Sequence, residues 1–238
     1  LMEELGLDYV AGSLPPWLYR LWLAVQTVPL NKTQERNSIR PLGIRHPLVR
    51  LFHREVMLQN KEEVTQYLEP QQLGQSRAGA AKLVHSVRGL LDLHPSWVCV
   101  ATDIRNCYNE QNRGAVLDVL ESPEADSLRH LSTFAATILA PHPALEIAGK
   151  VWGSSPTGQV QGDPASGPLQ AVAIQPSLET LDGECAEAGG MARAGADDVF
   201  SVGPVEIVLP AVQRFAAEIK QRCDLELQWS KTVLYSRA

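Results

Sequence analysis

Long apolar runs are missing from this chain. Nowhere in its 238 residues does one approach the ~18 consecutive apolar residues of a membrane span, and no signal-peptide pattern opens it. No membrane partner is expected. Cysteine is scarce: Cys99, Cys107, Cys185 and Cys223 are scattered without metal-type spacing, and read as reduced thiols in an intracellular protein, nuclear or cytoplasmic. Internal repeats, low-complexity tracts and obvious linkers are absent as well. So is a surplus of positive charge. The 21 Lys and Arg stand against 27 Asp and Glu, a net charge of −6, which weighs against a nucleic-acid binder. The first residue is Leu rather than Met, so the sequence is expected to be a segment of something longer.

What is present is an ordinary globular composition, 45% apolar and 20% charged, in a chain long enough to bury a real core. The charge is unevenly spread. Between Asn31 and Arg54 stand Lys32, Arg36, Arg40, Arg45, Arg50 and Arg54 against the single acid Glu35, with His46 and His53 besides. Such a stretch is either a solvated basic face or one that meets phosphate.

Trp17 to Val28 carries apolar residues at near-helical spacing and predicts a helix with its tryptophans in the core. Ser38 to Ile44 reads as a short β-like segment broken by Pro41 and Gly43. Pro47 to Tyr67 predicts one long helix whose apolar face includes Leu48, Leu51, Val56, Leu58 and Val64. A polar loop, Gln71 to Gly79, leads to a helix over 80–93. Trp97 to Thr102 is a buried strand ending at Asp103. Helices are expected over 109–121 and 123–139, a hairpin over 144–160, and helices over 169–181 and 205–223. Leu225 to Leu227 reads as a short strand.

The run from Met191 to Gly203 reads as a β-hairpin, with short apolar segments meeting at Gly195-Ala196-Asp197-Asp198. Two adjacent like charges repel, and a hairpin turn needs neither. They make sense if a divalent cation lies between them and a third carboxylate, for which the strand-end Asp103 is the candidate. Hard oxygen ligands suit Mg²⁺. Two such ions roughly 3.5–4 Å apart stabilise both the attacking and the leaving oxygen of an in-line phosphoryl transfer. The plain alternative is a solvated turn. Gln161-Gly162-Asp163-Pro164 stands just ahead of a helix, where glycine and amide groups allow close approach to a flat or anionic ligand. Its plain alternative is a loop and cap built from Asp163 or Ser166.

The order of these segments resembles the reverse transcriptase palm, most closely that of non-LTR retrotransposons. Asp103-Ile104-Arg105-Asn106-Cys107-Tyr108 resembles the family's first catalytic segment. Gln161-Gly162-Asp163-Pro164 with Gly167-Pro168-Leu169 resembles its QGD signature, and Gly195-Ala196-Asp197-Asp198 its ADD hairpin. Leu225 to Gln228 and Ser230-Lys231-Thr232 resemble the strand and lysine that follow. Arg40-Pro41-Leu42 and Gln72-Leu73-Gly74 resemble the RPI and QFG segments of the fingers. The resemblance covers roughly residues 36–235.

It implies an α+β fold: a polymerase right-hand palm, an antiparallel sheet backed by helices, with a partial fingers subdomain and the thumb absent. Residues 1–95 would be fingers-like with part of the palm helices, and 96–238 the palm, in one unit truncated before the thumb. It implies an RNA-directed DNA polymerase that adds deoxynucleotides to a primer 3′-end. Asp103, Asp197, Asp198 and the Ile104 carbonyl would hold two Mg²⁺ ions, with Mn²⁺ as a substitute. Arg40, Tyr108, Gln161 and Gly162 would bind the deoxynucleotide, Tyr108 excluding a 2′-hydroxyl, and Lys231 would protonate or neutralise the departing pyrophosphate. The implied partners are an RNA template, a DNA primer, deoxynucleotides, and further domains or chains supplying thumb and endonuclease.

Two departures stand out. Gly195 replaces the family's bulky aromatic, and Gln75 replaces a common Phe. The net negative charge, Gly195 and the absent thumb favour a rival: a degenerate domain retained as a nucleic-acid-binding or protein-interaction scaffold. Retention of all three aspartates opposes it, because unneutralised carboxylates repel. RNA synthesis on RNA is a third reading, which Tyr108 opposes.

Overall fold

The computed structural model describes residues 2–31 and 39–237, with the side chains of residues 31, 39 and 40 left outside the description. Lys32, Glu35, Arg36 and the side chain of Arg40 therefore lie beyond it. The fold is α+β. In chain order it runs α1 (Met2–Val10), α2 (Pro16–Trp22), β1 (Val25–Asn31), β2 (Ile39–Arg45), α3 (Pro47–Gln59), α4 (Lys61–Leu68), α5 (Gly79–Leu93) and β3 (Val98–Asp103). Then come α6 (Cys107–Glu110), α7 (Gly114–Leu120), a 3₁₀ stretch (Pro123–Leu131), α8 (Ser132–Leu139), β4 (Ala144–Ile147) and β5 (Lys150–Ser154). The last are α9 (Ser166–Ala186), β6 (Met191–Gly195), β7 (Asp198–Gly203), α10 (Val205–Cys223), a 3₁₀ turn (Trp229–Lys231) and β8 (Val233–Ser236).

The chain divides into two compact units, Leu1–Glu62 with Tyr108–Gln170, and Glu63–Cys107 with Ala171–Ala238. The first holds a mixed sheet of order β2-β1-β4-β5, in which β1 pairs antiparallel with β2 and parallel with β4. Arg113 ties the loop after β5 to this unit by donating to the carbonyls of Gly158, Pro141 and Thr157. The second unit holds an antiparallel sheet of order β6-β7-β3-β8. Helix α5 packs on it through Leu91, with Val87 and Leu90 beside Cys99, Met191 and Val202. Helix α10 also lies against β3 and β7, and the Cys223 thiol donates to the Ala173 carbonyl of α9 at 3.4 Å. All four cysteines are buried thiols.

Several expectations change. The helix expected over 17–28 stops at Trp22, and Val25–Asn31 pairs with β2 from Val25↔Arg45 to Asn31↔Ile39. The β-branched Val25, Thr27 and Val28 suit a strand, and the inter-strand bonds decide between two compatible spacings. Trp17 is surface, 65% exposed, while Tyr19 and Leu23 take the core positions. The long helix over 47–67 breaks at Asn60, whose amide donates to the Val56 carbonyl. On α3 the buried residues are Val49, Phe52, His53 and Met57, whereas Leu51 and Leu58 face out. Residues 109–121 form two short helices, and 123–139 divides into a 3₁₀ stretch and α8. Leu225–Leu227 contributes only an isolated bridge, Leu227 to Ile104; the strand lies further on, at β8, which pairs with β3 from Val98↔Ser236 to Ala101↔Val233. Among the described residues no helix is long and apolar enough to cross a membrane.

The two burial extremes give a test. Phe215 on α10 is 2% exposed, so Phe215→Ala removes core contacts and is expected to cost about 3–5 kcal/mol. Trp17→Ala is expected to stay within about 0.5 kcal/mol. Urea denaturation of both variants checks the pair, and comparable losses would contradict the assignment of Trp17 to the surface.

Candidate functional site

In the second unit, β3 is an interior strand and ends at Asp103. Its antiparallel register with β7 runs from Val98↔Gly203 to Asp103↔Asp198, so the two carboxylates share one row at the end of the sheet. Strand residues opposite each other lie on one face. β6 continues the row, Gly195 pairing with Asp198. Between them the chain reverses through Ala196 and Asp197, with Ala196 at φ +65°, a left-handed conformation that two-residue hairpins require. The Asp197 carbonyl accepts the Ile104 N–H at 3.1 Å, which stitches the turn to the residue after Asp103.

The carboxylates repel as expected. Burial, then the charges of Asp197 and Asp103, push the Asp198 carboxyl above its usual range, and Lys231 opposes the shift. Lys231 also donates from Nζ to Asp103 Oδ2 at 2.9 Å. It reaches there because Gln228 N–H bonds the Asp103 carbonyl (2.7 Å) and Arg105 N–H bonds the Glu226 carbonyl (2.8 Å), pinning the 226–228 segment beside the end of β3. Neither bond engages the carbonyl of Ile104, itself 1% exposed.

A second loop supports the hairpin. Leu73 N–H donates to the Ala194 carbonyl (2.8 Å) and Ala194 N–H to the Gln71 carbonyl (2.7 Å), so Gln71–Leu73 covers the free edge of β6. Gln72, 1% exposed, donates from its amide to the Ala196 carbonyl at 3.3 Å. At Gly74 a Cβ would lie 2.9 Å from the Ala196 nitrogen, so only glycine lets this loop close on the turn. Asp182 of α9 adds a further tie, accepting the Ala192 N–H at 2.9 Å and pairing with Arg193. A side chain at Gly195 would meet Leu83, whose Cδ2 stands 3.4 Å from a Cβ built there.

The oxygen donors fit a hard divalent cation in kind, and a cation would relieve the repulsion between Asp198 and its neighbouring acids. They are not a preformed cage. Among the described residues no three His, Cys, Asp or Glu side chains gather as a metal site, and Lys231 now holds Asp103.

The remaining expected residues belong to the first unit. Tyr108 is half-buried, and its carbonyl accepts the Gln159 N–H. The Gln161 carbonyl accepts the Gly43 N–H of β2 at 3.1 Å, and Gly162, at φ +108°, is exposed beside Leu42 and Gly43. The side chain of Arg40 lies outside the described residues. Sequence reasoning missed the partners of Asp163. Its carboxylate accepts the Ala165 N–H (2.9 Å) and lies 2.8 Å from both His53 Nδ1 and Arg45 Nε. Burial would raise this carboxyl, but the hydrogen bond from His53, the charge of Arg45 and the Ala165 N–H outweigh it and hold it below the usual range. Only the position of Asp163 beside Gln161-Gly162 pointed there.

No family model and no curated protein matches the chain. Solved structures do. Apo telomerase from Candida tropicalis superposes with a TM-score of 0.68 at 11% identity, covering 98% of this chain and 49% of that one. Telomerase from Candida albicans in complex with the TWJ fragment of telomeric RNA gives 0.65 at 13% identity, over 94% and 44%. Candida tropicalis apo telomerase truncated from its C-terminal domain gives 0.60 at 12%, over 90% and 50%. The fold is reverse-transcriptase-like. The chain spans about half the length of the structures it matches.

An acid whose folded pKa is raised weakens the fold as it ionises. Wild-type stability should therefore decline as pH rises from about 3.9 through the elevated Asp198 value. Asp198→Asn is expected to remove that decline and to raise the melting temperature at pH 7 by roughly 1–2 °C, screening by solvent allowed for. Scanning calorimetry across pH 4–7 checks this; a lower melting temperature in the variant would contradict the repulsive cluster.

Proposed function

We propose that this chain is the fingers and palm of an RNA-directed DNA polymerase of non-LTR retroelement type. In this reading residues 1–95 are fingers-like with part of the palm helices, and residues 96–238, which hold the sheet β6-β7-β3-β8, are the palm. One observation carries the proposal: the β3–β7 register sets Asp103 opposite Asp198, next to Asp197, at the end of a sheet in a reverse-transcriptase-like fold. Asp103, Asp197, Asp198 and the Ile104 carbonyl would hold two Mg²⁺ ions. Bound there, the metal supplies charge that activates a primer 3′-hydroxyl and stabilises the leaving pyrophosphate. The residues themselves orient. The Gln72 amide and Gly74 fix the turn that carries Asp197. Lys231, within 2.9 Å of Asp103, would protonate or neutralise the departing pyrophosphate. The Gln161-Gly162 backbone and Tyr108 would receive the deoxynucleotide, with Arg40 on its phosphates. RNA template and DNA primer are the proposed partners, in keeping with the RNA bound by the Candida albicans neighbour.

A second reading keeps the fold without the chemistry. The Lys231–Asp103 ion pair and the absence, among the described residues, of a gathered metal site favour a degenerate scaffold that binds nucleic acid or protein.

Primer extension separates the two. Oligo(dT) on poly(A) is incubated with the chain, dTTP and Mg²⁺ or Mn²⁺, beside an Asp197→Asn/Asp198→Asn control. The proposal expects extension that falls about 1,000-fold or more in the control, as the loss of several kcal/mol of metal stabilisation implies. Primer-template binding without extension would favour the scaffold.

A further inference from the structure

We infer that Asp163, clamped by Arg45 and His53, is a positioning residue that holds the Gln161-Gly162 backbone in the form that receives a nucleotide. Its role toward the nucleotide rests on the reading of that loop proposed above; the clamp itself stands on geometry within the first unit.

Asp163 is 7% exposed, Arg45 6% and His53 not at all. Taking three such groups out of water is costly unless each is paired, and the surroundings would admit an apolar core: the His53 ring meets Phe134 edge-on at 5.3 Å and lies 5.7 Å from the Tyr9 ring. The pairing is nearly complete. Asp163 Oδ1 accepts from Ala165 N–H and faces His53 Nδ1; Oδ2 faces Arg45 Nε at 2.8 Å. Arg45 turns its other end to the Leu23 carbonyl, donating at 3.0 Å. His53 Nε2 meets the Tyr9 hydroxyl at 2.8 Å. Burial raises the Tyr9 hydroxyl far above its ordinary value, so it remains a neutral O–H. With the Nδ1 proton on the carboxylate side, Nε2 accepts from Tyr9, while Arg45 Nε meets the carboxylate as an ion pair without a hydrogen bond. One carboxylate thus ties the loop to β2, α3 and, through His53, α1.

The loop shows what is being held. Gln161 is fixed at its carbonyl by Gly43 N–H, and Asp163 by the clamp, while Gly162 between them is exposed at φ +108°. A Cβ at Gly162 would stand 3.1 Å from the Gly43 carbonyl and 3.2 Å from Leu42. Two anchored residues flanking a bare glycine present backbone to a ligand, and preorganised groups of this kind set binding strength.

Asp163→Asn removes the charge and keeps the shape. Two readouts are taken: amide hydrogen exchange over 159–165 and over β7, and the Michaelis constant for dTTP in primer extension. Exchange over 159–165 is expected to quicken at least about tenfold with β7 unchanged, and the Michaelis constant to rise about tenfold with kcat within about twofold. His53→Asn, whose amide can take the place of Nδ1, should restore most of both relative to His53→Leu. If Asp163→Asn does not fold, Tyr9→Phe, which deletes only the hydroxyl, should quicken the same segment by less. Exchange that is unchanged there, or raised equally in β7, overturns the inference, as does a fall in kcat with the Michaelis constant unchanged. If the wild-type chain extends no primer, the polymerase reading fails, and the exchange of 159–165 alone decides the clamp.

Discussion

Asp103 and Asp198, set opposite each other against their own repulsion, are the constraint that organises this molecule. The antiparallel register of β3 and β7 sets Asp103 against Asp198, and a slip of one residue would send either to the opposite face. Interior placement of β3 between β7 and β8 makes that slip costly, because every apolar residue of the strand would turn with it. Repulsion at the end of the sheet is thereby offset by burial along its length. Residues that are destabilising where they stand and yet held by a rigid frame are what a charge-binding site requires.

The frame is layered. Gln71–Leu73 covers the β6 edge, the Gln72 amide and Gly74 close on the hairpin turn, and Asp182 braces β6 from α9. Each contact acts on backbone rather than on the acids, which leaves the carboxylates free to exchange partners. Lys231 is the partner in the present state. In the first unit the same economy recurs around the Gln161-Gly162 loop, where buried side chains hold neighbouring residues and leave a glycine exposed.

Much of the second unit was legible in the sequence. Val98–Asp103 is a run of apolar residues ending at a charge, the 191–203 hairpin is two short apolar segments around a break, and α5 and α10 carry clear helical spacing. What was not legible depended on distant partners. Val25–Asn31 is compatible with helix or strand until β2 is beside it. β8 carries no burial signal, since Val233, Leu234 and Tyr235 are all about half exposed; its only warrant is the free side of β3. The break at Asn60 turns on one side-chain bond to Val56. Asp163 read as a cap because its neighbours in sequence suggest one, whereas His53, which meets it, lies 110 residues away. The register sets Asp103 opposite Asp198, but the ion pair between Asp103 and Lys231 could not be read from spacing.

The most direct test of the central claim is a Mn²⁺ titration followed by electron paramagnetic resonance of the free ion, on the wild-type chain and on Asp103→Asn/Asp198→Asn. If the carboxylates form a divalent-cation site, the wild type removes Mn²⁺ from solution at up to two ions per chain and the variant does not. Equal uptake by both, or none by either, would contradict it.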